Sequence, residues 1–191
     1  MPPLPPGSSH NHCFAFEADF TADLRCIPMA VRRKLDLAGV KLKLVHWHGL
    51  ESSERQRLLA WSDDPAAIAE LHQWLLTRSQ RLPDGPARAI APARGCDWQQ
   101  AEQLPPLLIA ACRQLGLELR QGAWDALDEL QRFALLKLSH PGHEHRNLPR
   151  ALQEFRLLAE TPDRAPATDA PAGASARANG QQPRRVRPVT S

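Results

Sequence analysis

The chain has 191 residues, 42% of them hydrophobic, and sets 24 Lys and Arg against 21 Asp and Glu. The resulting +3 sits wholly after Thr161, where Arg164, Arg177, Arg184, Arg185 and Arg187 face only Asp163 and Asp169, so the body is formally neutral. A neutral body argues against a dedicated nucleic-acid surface, which needs clustered cations to displace counterions, and no apolar run approaches the ~20 residues that span a bilayer.

Residues 1–12 are Pro-rich and are expected to be disordered. Pro28 in a first-turn position and Gly39 just past the end frame a helix over about 28–38. The alternation from Val40 to Leu44 suits a strand, but its only expected mate is Leu117-Glu118-Leu119. It is therefore read as an extended connector, weakly paired at most. A short helical turn carries Trp47, and Ser52 or Ser53 is expected to cap a helix that runs through Trp61. Asp64 caps the next helix, with Pro65 in its first position. Ile68, Leu71, Leu75 and Leu82 recur on one of its faces, and Arg78 and Arg81 suit its C-terminal end.

A Pro/Gly loop over 83–96 precedes a helix from about Pro105 to Leu115. The longest helix is expected over about 123–139. Trp124, Leu127, Leu130, Ala134 and Leu138 form its inner stripe, which Phe133, Leu135 and Leu136 widen. Asp125, Asp128, Glu129 and Arg132 mark its solvated edge, with Asp128 paired to Arg132 one turn later. Pro141 ends that helix and Pro149 starts the last one, which Leu152, Phe155 and Leu158 or Ala159 dock onto the body. From Pro162 to Ser191 there are five Pro and no Leu, Ile, Phe or Trp. That stretch cannot bury enough apolar surface to offset its ordering entropy, and disorder is expected. The fold class is all-α: a compact single-domain bundle of about six helices over residues 13–161.

An internal repeat underlies that bundle. Gly39–Leu59 aligns without a gap on Gly116–Leu136, with seven of 21 positions identical, among them Trp47/Trp124, Leu50/Leu127 and Arg55/Arg132. Each copy reads as a Gly that stops a helix in the left-handed conformation, an extended connector, and a Trp-bearing helical segment. Two related helix–connector–helix units are the expected plan, with Trp47 and Trp124 as core anchors.

Few residues announce a chemistry. Cys13, Cys26, Cys96 and Cys112 form no CxxC pair, so neither a zinc knuckle nor a redox dithiol is indicated, and an Fe–S cluster held by this chain alone is not expected. Cys26 stands beside Arg25 just before Pro28, where a thiol can become reactive, although a small buried residue explains it as well. His140, His143, Glu144 and His145 share one loop, and His46 and His48 flank Trp47. These side chains suit a metal, but the spacing lacks the helical geometry that makes such pairs informative. The acidic pair Asp63-Asp64 reads as helix capping. The start, Met1 to Gly7, has neither the basic region nor the apolar core of a secretory signal, and a reducing cytoplasm is expected.

Two stretches stand out from this background. One runs from Phe14 through Phe16, Glu17, Phe20, Cys26, Pro28 and Arg33 to Asp36. The other runs from Arg132 through Pro141-Gly142-His143-Glu144 to Asn147 and on to Ala151 and Glu154-Phe155. Together they resemble the nitrate reductase-associated protein family, best known from cyanobacteria, and the resemblance spans about Phe14 to Leu157. It implies an accessory protein with no catalytic residue, metal or cofactor of its own, needed for the maturation or activity of nitrate reductase, a molybdenum–pterin and Fe–S enzyme. The expected partner-binding surface joins Glu17, Asp19, Arg25, Cys26, Arg32 and Arg33 to His143, Glu144 and Asn147. Two other readings remain open: a metal-dependent enzyme built on His46, His48, His143 and Glu144, and a nucleic-acid binder acting through the Arg-rich tail.

Overall fold

The computed structural model describes residues 10–141 and 147–157. The expected tails at 1–12 and 162–191 lie outside them except for His10–His12, and so do Leu158 and Ala159. Of these, His10 and Asn11 hold side-chain bonds to Asp63 and Lys34.

A 3-10 turn over Ala15–Glu17 leads into the single-turn helix α1 (Ala18–Thr21). Pro28, in extended conformation, opens α2 (Met29–Ala38), and Gly39 closes it at φ 68°. The next residues do not form an isolated connector. Val40–Lys41 is a short strand, β1, paired antiparallel with β2 (Arg88–Ala89), Val40 opposite Ala89. The pairing lies inside the expected Pro/Gly loop and involves neither Leu117 nor Leu119. Glycine permits it: Ile90 donates its N–H to Gly39 O at 2.8 Å, and a Cβ on Gly39 would stand 2.6 Å from Ile90 O.

Helix α3 (Leu44–His48) carries Trp47, and α4 (Ser52–Ala60) follows. Its cap is Glu51 rather than Ser52 or Ser53, with the Glu54 carboxylate accepting from Glu51 N–H at 2.8 Å. Asp64 caps α5 (Pro65–Ser79) by accepting from Ala67 N–H at 2.9 Å. A 3-10 turn at Asp97–Gln99 and α6 (Pro106–Gln114) come next. The single long helix expected over 123–139 is instead two, α7 (Gln121–Asp125) and α8 (Glu129–Leu138). Asp128 breaks it. In extended conformation it accepts from Gln131 N–H at 2.8 Å, and the Gln131 side chain accepts from Asp128 N–H at 3.0 Å. This reciprocal capping starts a new helix. Helix α9 (Leu148–Glu154) is the last. Among the described residues the count is therefore nine α-helices and a two-stranded sheet, not six helices alone.

Apolar burial falls into two clusters. One gathers Phe14, Phe16, Trp98, Leu108, Trp124 and Phe133, with Leu148 and Leu152 of α9. The other gathers Leu35, Trp47, Leu58, Leu71 and Leu75. Helix α2 serves both, giving Met29 and Ala30 to the first and Val31 and Leu35 to the second. Trp47 and Trp124 are fully buried, one in each cluster. Their indole N–H groups donate to Leu24 O at 2.6 Å and to Gln100 O at 2.9 Å, which satisfies the polar end of each ring.

Candidate functional site

Two carboxylates fix the first described segment, and one of them, Glu154, clasps it to the last. Because Ala15–Glu17 is a first turn, the N–H groups of Phe14, Ala15 and Phe16 have no partner within it. Glu17 accepts from Phe14 N–H with one oxygen and from Met29 N–H, at the start of α2, with the other, both at 3.0 Å. Glu154 of α9 accepts from Ala15 and Phe16 N–H, both at 2.8 Å. Phe14 stacks on Phe16 at 5.3 Å, and Phe155 meets Phe14 edge-on at 4.9 Å. On the outside of the clasp, Arg150 reaches Asp19 at 2.8 Å.

This arrangement sorts the residues expected on the partner-binding surface. Asp19 and Arg25 are exposed, and Cys26, Arg32 and Asn147 are half-buried. Arg25 donates to Asp19 O of α1 at 3.2 Å and Arg32 to Ile27 O of the loop before α2 at 2.9 Å, so both guanidinium groups are held by backbone carbonyls. Asn147 precedes α9, and its carbonyl accepts from Ala151 N–H at 3.0 Å. Glu17 and Arg33 need correction, because both are buried. The Glu17 carboxylate is occupied by backbone N–H groups; burial pushes its pKa up, against the opposing pull of those bonds and of Arg32. His143 and Glu144 lie outside the described residues.

Arg33 belongs to a buried charged cluster that sequence reasoning did not find. It donates to Asp63 at 2.6 Å, to Glu129 at 2.6 and 3.0 Å, and lies over the Trp98 ring at 5.8 Å. Asp63 is thus an ion-pair partner rather than a cap, and it also binds His10 at 2.8 Å. Burial raises its pKa, but the bonds from Arg33 and His10 prevail and hold it below the usual range. Next to Arg33, the fully buried Lys34 donates to Leu59 O at 2.5 Å, Leu58 O at 3.4 Å and Asn11 Oδ1 at 2.7 Å. Its ammonium therefore sits at the C-terminal end of α4, where unpaired carbonyls favour a cation. Burial nonetheless lowers its pKa to about 8. The legible signal was the unbroken Arg32-Arg33-Lys34 run inside a largely apolar helix.

Two of the histidines expected at a metal site, His46 and His48, have other partners; His143 and His145 lie outside the described residues. His46 is buried, its Nδ1 accepts from Lys43 N–H at 3.2 Å, and its Nε2 stands 3.4 Å from Asp84 outside hydrogen-bonding geometry. His48 Nε2 lies 2.8 Å from Arg25 O. Among the described residues no group of three or more His, Cys, Asp or Glu is placed to hold a metal ion. A half-open recess of about 540 Å³ borders Cys112, the Gly116–Arg120 connector, Leu152 and Arg156. Burial pushes the Cys112 thiol up, which keeps it in its unreactive protonated form. Among the described residues no helix is long and apolar enough to cross a membrane.

Comparison with known proteins finds a family-model match. The family model described as "Conserved nitrate reductase-associated protein" fits residues 13–155, from the cysteine before the Phe14 turn to the phenylalanine that closes the clasp. No curated protein and no solved structure matches the chain.

Proposed function

We propose that this chain, which belongs to the conserved nitrate reductase-associated protein family, is a non-catalytic accessory protein required for the maturation or activity of a cytoplasmic, assimilatory nitrate reductase. It works by protein–protein contact. The reductase carries its own molybdenum–pterin and Fe–S groups, and the accessory protein favours the conformer that accepts cofactor or electrons. A partner moves such an equilibrium only by binding one conformer more tightly than the other.

The observation that carries this reading is the clasp. Glu154 and Arg150 hold the segment after α9's start against the Phe14–Asp19 segment, although the two are about as far apart in sequence as the body allows. Part of the first resembling stretch, Ala15–Asp19, thereby meets part of the second, Arg150 and Glu154, with Asp19 and Arg150 exposed beside the contact.

Deletion of the gene is expected to abolish growth on nitrate and leave growth on ammonium intact. A pull-down from nitrate-grown cells, with apo- and holo-reductase separated, should recover one form preferentially. Reversing charge with Arg25→Glu and Arg32→Glu together should lose that capture. Normal reductase activity in the deletion strain would overturn the proposal.

A further inference from the structure

Helices α4 and α5 present a second feature, away from the clasp. Trp61, at the C-terminal end of α4, and Trp74 of α5 are both half-buried, with ring centroids 5.7 Å apart and planes tilted by 44°. Arg57, exposed in the last turn of α4, lays its guanidinium over both rings, 4.6 Å from the Trp61 centroid and 5.6 Å from that of Trp74.

The hydrogen-bonding state of this cluster is one-sided. Trp61 uses its indole N–H on Ala67 O at 2.9 Å. The Trp74 indole N–H and the guanidinium N–H groups of Arg57 meet no acceptor among the described residues, and none of them is a buried orphan. The nearest acidic group on the same helix, Glu54, is engaged by Arg78 through both of its oxygens. Glu54 still feels the Arg57 charge, but among the described residues no acceptor closes on the guanidinium, which lies over two aromatic faces. A guanidinium stacked in this way loses little freedom when its fork closes on a carboxylate, and a carboxylate is an acceptor-only group.

We propose that Arg57, Trp61 and Trp74 form a docking site for a partner protein, which inserts an Asp or Glu carboxylate onto Arg57 and the Trp74 N–H while an adjacent apolar side chain rests on the indoles. Trp and Arg together are the residue types that dominate binding energy at protein interfaces. A nucleic-acid backbone fits this surface less well, because it calls for several clustered cations, and Arg57 is the one cation placed over these rings among the described residues. The site is independent of the clasp and of the nitrate reductase reading.

The test is fluorescence anisotropy with the full-length protein and a fluorescein-labelled peptide of alternating Glu and Leu. Two further probes are the same peptide with Gln for Glu and a labelled oligo-dT strand. The Glu peptide should bind, and the Gln peptide and oligo-dT should bind at least about tenfold more weakly, the loss that follows from a single charge-assisted pair. Arg57→Gln should bring a similar loss, Arg57→Lys should recover only part of it, and Trp74→Phe should weaken binding while far-UV circular dichroism stays unchanged. The proposal is overturned if the Glu peptide does not bind, if the Gln peptide binds as well, if Arg57→Gln changes nothing, or if oligo-dT binds preferentially.

Discussion

Arg55 and Arg132, at matching positions of the two similar stretches, make the same pair of contacts. Each donates to the carbonyl five residues earlier, Arg55 to Leu50 O and Arg132 to Leu127 O. Each also reaches the segment that holds the neighbouring tryptophan's indole. Arg55 donates to Leu24 O, which Trp47 also binds, while Arg132 donates to Trp98 O, two residues before the Gln100 O that Trp124 binds. In both stretches a Trp and an Arg thus tie a distant loop to the start of a helix.

The two arginines differ in burial: Arg132 is buried and Arg55 half-buried. Arg132→Met should therefore destabilise the protein by ~3 kcal/mol, because two buried carbonyls lose a charged donor that water cannot replace. Arg55→Met should cost only ~1 kcal/mol, since water can reach part of its site. Urea unfolding of the two variants side by side checks this, and equal losses would refute the distinction.

The glycines that open the two stretches have the same left-handed conformation, φ 68° at Gly39 and 71° at Gly116, but different surroundings. A Cβ at Gly116 meets nothing within 4 Å, whereas at Gly39 it would run into Ile90 O. Gly116→Ala should cost ~1–2 kcal/mol from backbone strain alone. Gly39→Ala should cost clearly more and should also loosen the β1–β2 pair, seen as faster amide exchange at Ile90. A Gly39→Ala variant no less stable than Gly116→Ala would contradict the close approach described above.

Lys34 makes stability depend on alkaline pH. Its pKa of about 8 in the folded chain lies below its ordinary 10.5, so between those values the unfolded chain binds the extra proton. Raising the pH through that window favours the folded state, at up to ~1.4 kcal/mol per pH unit; the contribution is lost as pH falls through about 8. The chain has no Tyr to titrate over the same range. Lys34→Met should flatten this part of the stability profile in denaturant titrations between pH 8 and 10. A profile that rises as steeply without Lys34 would assign the effect elsewhere.

The two carboxylates of the clasp should separate by burial. Glu17→Gln leaves one of two buried N–H groups without an acceptor and should cost ~1–3 kcal/mol. Glu154 is exposed, and Glu154→Gln should cost ~1 kcal/mol or less while raising exchange at the Ala15 and Phe16 amides. Hydrogen exchange that leaves those two amides as protected as in the parent protein would show that Glu154 does not hold the segment.

Much of the helical framework was decided by neighbours along the chain, and for that reason it could be read. Pro28 with Gly39, Asp64 with Pro65, and Pro149 in the first turn of α9 act through φ restriction and backbone capping, which reach only a few residues. The matching positions of Trp47 and Trp124 in the two similar stretches likewise foretold their burial. The break at Asp128 was also written locally, as an Asp followed three residues later by Gln, but the continuous apolar stripe masked it. By contrast, the β1–β2 pair, the clasp, and the burial of Glu17, Arg33, Lys34 and Arg132 emerge only in three dimensions. A charged side chain is kept out of water only where acceptors or counter-charges converge on it. Those partners, Met29 N–H, Asp63 and Glu129, Leu59 O, and Trp98 O, come from other elements. Composition and periodicity report which residues are ionisable; only the packing of α2 against its neighbours decides which of them the protein encloses.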